Sequence, residues 1–552
     1  MKLEKTFAKF TFKIKRIALL AIYTGGGGVI LRFKIKKIKK ILEKRDLAEK
    51  FSDLNHKNIK KALKELLPAF KDSKQNIESK DSKTYTFLSS FLYVLKILNP
   101  KNIESFLDSK DFKEKYIDKN HPFPPLTNPD SINYEKLPPK IAWCLNIPLP
   151  NNYEFIFLTN GASASDVTIF WMKKSNINTT ECWMQDIDKY IASYELLLSH
   201  KGEYNALNFT EKTRKTMFLI NKPARLYYIV RDPISRYRVG VNHLRLELIQ
   251  NLRAENPLSN RFNLTCDYKN IFVDFIYWFN TKTPQLSTLT NKYVEAINTY
   301  IVFSSVFNRL KNLGLVDDIY VADFNDFLPQ SAYRTFCRVG EHFGFKACED
   351  LQYYIDKKWG DVAPYMPVTL HANSYDIPNL FLQGKAGRQG LESLGLNEWN
   401  LKPLDSINKT IREAENLDIH IGLYDDFKNT PNVIDITSEF FSQKIIIDRT
   451  SLYIYISKND IKILKNNEKL YEACGIYLRG YIQALESRIK EIQKNIIREP
   501  QILEYLESNE TLRAEIKNLF DKELAYFKKN YPHIVDTWQY YKEFEKMCGE
   551  KY

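Results

Sequence analysis

Arg231 is the residue of this chain whose sequence surroundings point most directly to chemistry. It closes an apolar run, Leu226 to Val230, and is followed by Asp232-Pro233 and then by a helical pattern. A buried parallel strand delivers a side chain to the carboxyl edge of an α/β sheet in this way, and ligands bind at that edge. Pro233 suits the first turn of the helix, where its missing N–H leaves nothing unpaired. An arginine in that place is a phosphate clamp, because its planar fork matches phosphate oxygens and it keeps its charge. The competing reading is an arginine that pairs with a nearby carboxylate such as Asp232.

A second group lies upstream. Tyr153 to Thr159 reads as a strand, and the small-residue loop Asn160 to Thr168 (NGASASDVT) leads from it into a helical pattern. Gly161 permits a tight turn, small side chains let an anion approach the backbone N–H groups, and the helix adds its dipole. Ser163, Ser165 and Thr168 are candidate hydroxyl donors, unless Ser and Asp here simply cap the helix. The loop is not a Walker A motif, since it lacks the Gly-Lys-Ser/Thr ending. Arg236, Arg238 and Arg245 extend the basic group after Arg231, although on one helix they cannot all face one ligand. His243 is the candidate catalytic base, with His121 as another, and a structural histidine is the alternative for each. Further on, Ile319 to Phe324 reads as a strand, Asn325 to Pro329 as a turn, and Ser331 to Phe343 as a helix that Gly344 terminates.

In order and spacing these three pieces resemble the sulfotransferase fold, from Glu154 to Phe345. The resemblance implies a strand and loop for the 5′-phosphosulfate end of a nucleotide donor, with Arg231 for its 3′-phosphate. It thereby implies 3′-phosphoadenosine 5′-phosphosulfate as co-substrate and a hydroxyl acceptor such as a surface glycan. Gly161, Ser163, Ser165, Thr168 and Arg231 become donor-binding residues. The chain departs from that family's pattern twice. The loop has no basic residue and carries Asp166 at the glycine position, and Val239 stands where the family has a serine, a role left to Ser235. The wider chain, including the proline-rich approach from Lys119 to Phe155, resembles a group of uncharacterised bacterial proteins known as a domain of unknown function.

The elements that position these residues are expected to form an α/β fold: a sulfotransferase-like parallel sheet flanked by helices, with helical N- and C-terminal regions and a small β-rich region. The expected division is a basic extension (1–50), a helical region (51–120), a Pro-rich linker (121–150), the α/β domain (151–350), a β-rich region (351–465) and C-terminal helices (466–552). Helical patterns are expected near 240–254 and 286–312. Leu478, Ile482, Leu485, Ile489, Ile492 and Ile496 repeat at heptad-like spacing, which suits either a dimer seam or an intramolecular helical hairpin.

With 44% hydrophobic residues, 14% aromatics and only 19 glycines among 552 residues, the chain is an ordered globular protein. Its net charge of +14 is concentrated in residues 1–50, which hold 15 Lys/Arg against 4 Asp/Glu, so the body is not basic enough for a general nucleic-acid binder. Seven dispersed cysteines without a CxxC pair read as reduced thiols in a cytoplasmic protein, and no metal site is visible. Ile35, Ile38 and Leu42 share a helical face among lysines, which suits peripheral contact of residues 1–45 with the inner face of an anionic membrane, or else a solvated extension. Three functions are therefore carried forward: a sulfotransferase, a nucleotide- or phosphate-binding protein without transfer activity, and a membrane-surface scaffold. No Asp-x-Asp metal motif on a strand end supports a glycosyltransferase.

Overall fold

A computed structural model describes residues 26–65, 89–159, 161–210, 213–244, 303–354, 361–372, 417–427 and 430–549, together with most of 261–289. Among the described residues ten strands run in chain order: β1 (Phe155–Leu158), β2 (Ala206–Phe209), β3 (Ala224–Val230), β4 (Arg261–Asn263), β5 (Val316–Asp323), β6 (Val368–Ala372), β7 (Leu417–Gly422), β8 (Val433–Asp435), β9 (Ile445–Ile447) and β10 (Thr450–Ser457). They form two sheets.

The first sheet is all parallel, in the order β2-β1-β3-β5. The central strand β1 is continuously apolar and β3 is so from Leu226 to Val230, because both of their faces are covered, whereas the edge strand β5 carries Asp317 and Asp318 at exposed positions. Side chains alternate between two cores, as the two-residue period of a strand demands. Phe155, Phe157, Tyr227 and Ile229 face helices α1 (Ser165–Lys174) and α4 (Ala332–Phe343). Ile156, Leu158, Leu226, Tyr228 and Val230 face α2 (Asp186–Ser199), α3 (Pro233–Val241) and the C-terminal helices. The result is three layers, α/β/α. Gly344 ends α4 at φ +90°, donating its N–H to the Gly340 carbonyl at 2.7 Å, the left-handed cap expected of it.

The second sheet runs β4-β6-β7-β10-β8, with β9 paired to β10. It is built from two separated stretches, because residues between Arg261 and Tyr277 leave the α/β unit to join it. Helix α5 (Glu468–Lys494) covers this sheet. Leu478, Leu485, Ile489 and Ile492, four of the six residues of the expected heptad seam, are buried in the core that α5 shares with this sheet, so their apolar cover comes from the same chain. Helices α6 (Glu499–Glu507), α7 (Glu510–Glu523) and α8 (Gln539–Met547) return to the α/β unit, where Phe520 stacks on Tyr237 at 5.9 Å.

The N-terminal regions belong to the same core. Leu31, Ile35, Ile38 and Leu42, on helix Gly26–Glu43, are buried, so the face expected to meet a membrane packs on the protein itself. Residues 1–25 lie outside the described residues, as do most of the helical pattern near 240–254 and much of that near 286–312, whose last ten residues form the helix Phe303–Asn312. Among the described residues no helix is long and apolar enough to cross a membrane. The proline-rich stretch 121–150 is also integral, with Leu126, Leu137, Trp143 and Ile147 in the core.

His121 is one of its anchors. Its Nδ1 accepts a hydrogen bond from the Phe123 N–H at 3.1 Å, and burial, with Lys50 and Arg309 nearby, lowers its imidazole to about 4. The folded state holds it neutral while the unfolded state protonates it near 6.5, so its contribution is complete above pH 6.5 and lost as pH falls toward 4. That contribution is on the order of 3 kcal/mol at most. Urea unfolding of His121→Asn between pH 7 and 4.5 is expected to lose less stability with acid than the parent; parallel curves would show that another group titrates.

Candidate functional site

The strand order creates the site. From β1 the chain moves to one side for β2, then crosses to the other side for β3 and β5, so the order reverses between β1 and β3. Ligands of open α/β sheets bind outside the carboxyl ends of the strands at such a reversal. The segments that leave the sheet there are the 161–164 loop and Arg231-Asp232, the two groups singled out by residue type.

Register explains how they meet. Leu158 pairs with Tyr228, and continuing the parallel register by three residues brings Gly161 level with Arg231. Arg231 Nη1 donates to the Ala162 carbonyl at 2.7 Å, and Arg236 Nε donates to the Gly161 carbonyl at 3.3 Å. Val230 pairs with Asp323, which sets Phe324 beside Arg231, and the guanidinium lies 3.8 Å from that ring's centre. Burial and the neighbouring Arg238 push Arg231 down to about 10, which leaves it charged at neutral pH.

Ala162 and Ala164 both have positive φ (64° and 58°), and Ser163 between them does not. Alternating handedness of this kind turns successive N–H groups toward one concavity, the nest that binds anions. Ala164 is also the N-cap of α1 and has no side chain with which to cap it, so the capping alternative is not realised. Ser163, Ser165 and Thr168 are buried, and none of them lines the cavity described below. The Asp166 carboxylate accepts a hydrogen bond from Trp183 Nε1 at 2.8 Å.

Asp232 does not act as the ion-pair partner of Arg231. Its Oδ1 caps α3 by accepting from the Ile234 and Ser235 N–H groups at 2.9 and 3.3 Å. Its Oδ2 accepts from the Tyr540 and Tyr541 N–H groups at 3.0 and 3.1 Å. Burial nevertheless raises this carboxyl to about 6.

A cavity of about 480 Å³ opens beside Arg231. Ser235, Arg238 and Glu499 line it with Arg231, and Phe324, Phe327, Leu328 and Pro329 form an apolar wall. Glu499, the first residue of α6, accepts a hydrogen bond from Ser235 Oγ at 2.9 Å and lies 3.0 Å from Arg238 Nε. Arg449 reaches the same cavity from the β9–β10 turn. Glu499 and Arg449 escaped the sequence reading; the one available signal was Asp448-Arg449 at a turn where Asp-Gly is usual.

His243 follows α3 by two residues and is exposed, within electrostatic reach of Asp166 and outside the cavity lining. His121 is held in the N-terminal core, and Arg245 lies outside the described residues. Among the described residues no cluster of three or more His, Cys, Asp or Glu side chains is arranged to hold a metal ion.

Residues 321–551 match the model of a family described as a protein of unknown function (DUF2972). No curated protein and no solved structure matches the chain. The matched stretch takes in the end of β5, the apolar wall, Arg449 and Glu499; β1, β3 and Arg231 precede it.

Proposed function

We propose that the protein binds a phosphorylated nucleotide at the carboxyl edge of its parallel sheet and uses it as a sulfuryl donor toward a hydroxyl acceptor such as a glycan, with 3′-phosphoadenosine 5′-phosphosulfate as co-substrate. The observation that carries this reading is the Arg231–Ala162 hydrogen bond across the β1/β3 reversal, which joins an anion-binding loop to a phosphate-type arginine. The cavity next to it is within the usual range for small-ligand sites and combines arginines with an apolar wall.

In this reading Arg231 and Arg238 hold anionic groups of the donor, and Phe324 fixes the plane of Arg231. Of the two carboxyl groups that line the cavity, Glu499 is the acid–base group, since the oxygens of Asp232 are taken by four backbone N–H groups. It takes the proton of the acceptor hydroxyl as the sulfuryl group passes from the donor's phosphate oxygen to the acceptor oxygen, and the bisphosphate leaves. As in phosphoryl transfer, the rate comes from positioning and from charge stabilisation. Asp166 is compatible with an anionic donor because its carboxylate is turned to Trp183.

Calorimetric titration of the full chain with adenosine 3′,5′-bisphosphate tests the assignment. Binding is expected in the parent and about 100-fold weaker, roughly 2.7 kcal/mol, in Arg231→Ala. Equal affinity in the two proteins would remove the nucleotide from this edge of the sheet.

A further inference from the structure

The β9–β10 connection is a two-residue hairpin turn. Ile447 pairs with Thr450, and the two residues between them, Asp448 and Arg449, both have positive φ, 46° and 63°. Those signs match the turn whose twist suits antiparallel strands, and its second position is normally glycine. Asp448 is a conventional occupant of the first position. Arg449 is not conventional in the second, because a long side chain in the left-handed region sets its Cβ against the backbone.

The strained residue is also the one that points into the cavity. Arg449 lines it together with Arg231 and Arg238, although it comes from a turn of the second sheet, while Arg231 follows β3 of the first and Arg238 lies on α3. Among the described residues the Arg449 side chain has no hydrogen bond, ion pair or ring contact. The neighbouring carboxylates are committed elsewhere: Asp232 to four backbone N–H groups, and Glu499 to Ser235 and Arg238. The lining thus holds three arginines against two carboxylates, with one guanidinium unspent.

We propose that Arg449 is an anion clamp, which closes the second sheet onto a phosphate or sulfate ester seated against Arg231. The ester's apolar or planar part lies along the Phe324–Pro329 wall. The second sheet is then a part of the binding site, and its hairpin supplies the specificity for a ligand that carries two separated anionic groups. This inference rests on the anion-site reading above but does not require the ligand to be a nucleotide.

The test compares the full chain with Arg449→Gly and Arg449→Lys, using inorganic pyrophosphate and adenosine 3′,5′-bisphosphate in calorimetry and Tm without ligand as a second readout. Arg449→Gly relieves the strained turn, so its Tm is expected to equal or exceed the parent's while its affinity for the anion falls at least tenfold. Arg449→Lys keeps the charge without the fork and is expected to fall between them. Binding of pyrophosphate alone, still dependent on Arg449, would support the clamp and remove the nucleotide donor. Unchanged affinity in Arg449→Gly would overturn the clamp and leave the nucleotide reading standing. A lower Tm with unchanged affinity would mark Arg449 as structural and overturn it too, and failure of the parent to bind either probe would overturn both proposals.

Discussion

Asp232→Ala is expected to destabilise the protein by about 4 kcal/mol. The carboxylate holds two different parts of the chain at once. Through Oδ1 it caps α3, and loss of a cap costs about 1 kcal/mol. Through Oδ2 it accepts the N–H groups of Tyr540 and Tyr541, which tie α8 to the end of β3. Tyr541 is fully buried, so the alanine variant strands its N–H without water, at roughly 1–3 kcal/mol for each donor left unpaired. Asp232→Asn separates the two effects. Its amide oxygen still caps α3, but its NH2 cannot accept from α8, so about half the loss is expected.

The pH dependence has the opposite sign from that of an ordinary ion pair. Burial raises the folded carboxyl to about 6 from 3.8, so the proton-dependent part of its contribution is complete below about pH 4 and is lost as pH rises through 6, while the four N–H bonds to it persist. The parent's advantage over Asp232→Asn is therefore expected to be larger at pH 4 than at pH 7 in urea titrations. A constant difference would mean that Asp232 is ionised throughout that range.

The residues of the sheet edge were legible in the sequence because strand and edge are local signals. An apolar run ending in Arg-Asp-Pro, and a second run ending in a small-residue loop, are each contained in about ten residues, and parallel pairing brings their ends level. The apolar stripe of helix Gly26–Glu43 was equally plain, yet its partner was not. A stripe records that something apolar covers it, and burial of Ile35, Ile38 and Leu42 supplied the answer: the protein's own core. The same holds for α5, whose heptad-like spacing records an apolar partner without naming it, and which here is buried in the core around the second sheet. The remainder of the cavity was invisible for a different reason. Ser235 and Glu499 touch across a sequence separation of 264 residues, and no local pattern records such a meeting. Gly161 stood out for its backbone freedom, while the left-handed conformation of Ala162 and Ala164 in the same loop, whose carbonyls accept arginine hydrogen bonds, left no mark in residue type.

Glu499→Gln is the change that separates binding from chemistry at this site. The substitution keeps an oxygen to accept from Ser235 Oγ and keeps the shape of the first turn of α6, but it removes the negative charge beside Arg238. A unit charge some 6 Å from a bound anion is worth on the order of 2–3 kcal/mol at an effective dielectric of about 20. The variant is therefore expected to bind adenosine 3′,5′-bisphosphate at least tenfold more tightly. Transfer moves the other way. An amide cannot take the acceptor's proton, and loss of a general base costs roughly 10²–10⁴ in rate. Tighter binding together with slower sulfuryl transfer would establish Glu499 as the base, because a residue that merely tied α6 to α3 would change neither in that combination. Tighter binding with unchanged turnover would return the base to a group outside the cavity, with His243 the first to substitute. Weaker binding would mean that the anion does not sit beside Glu499, and the cavity would lose its claim to be the donor site.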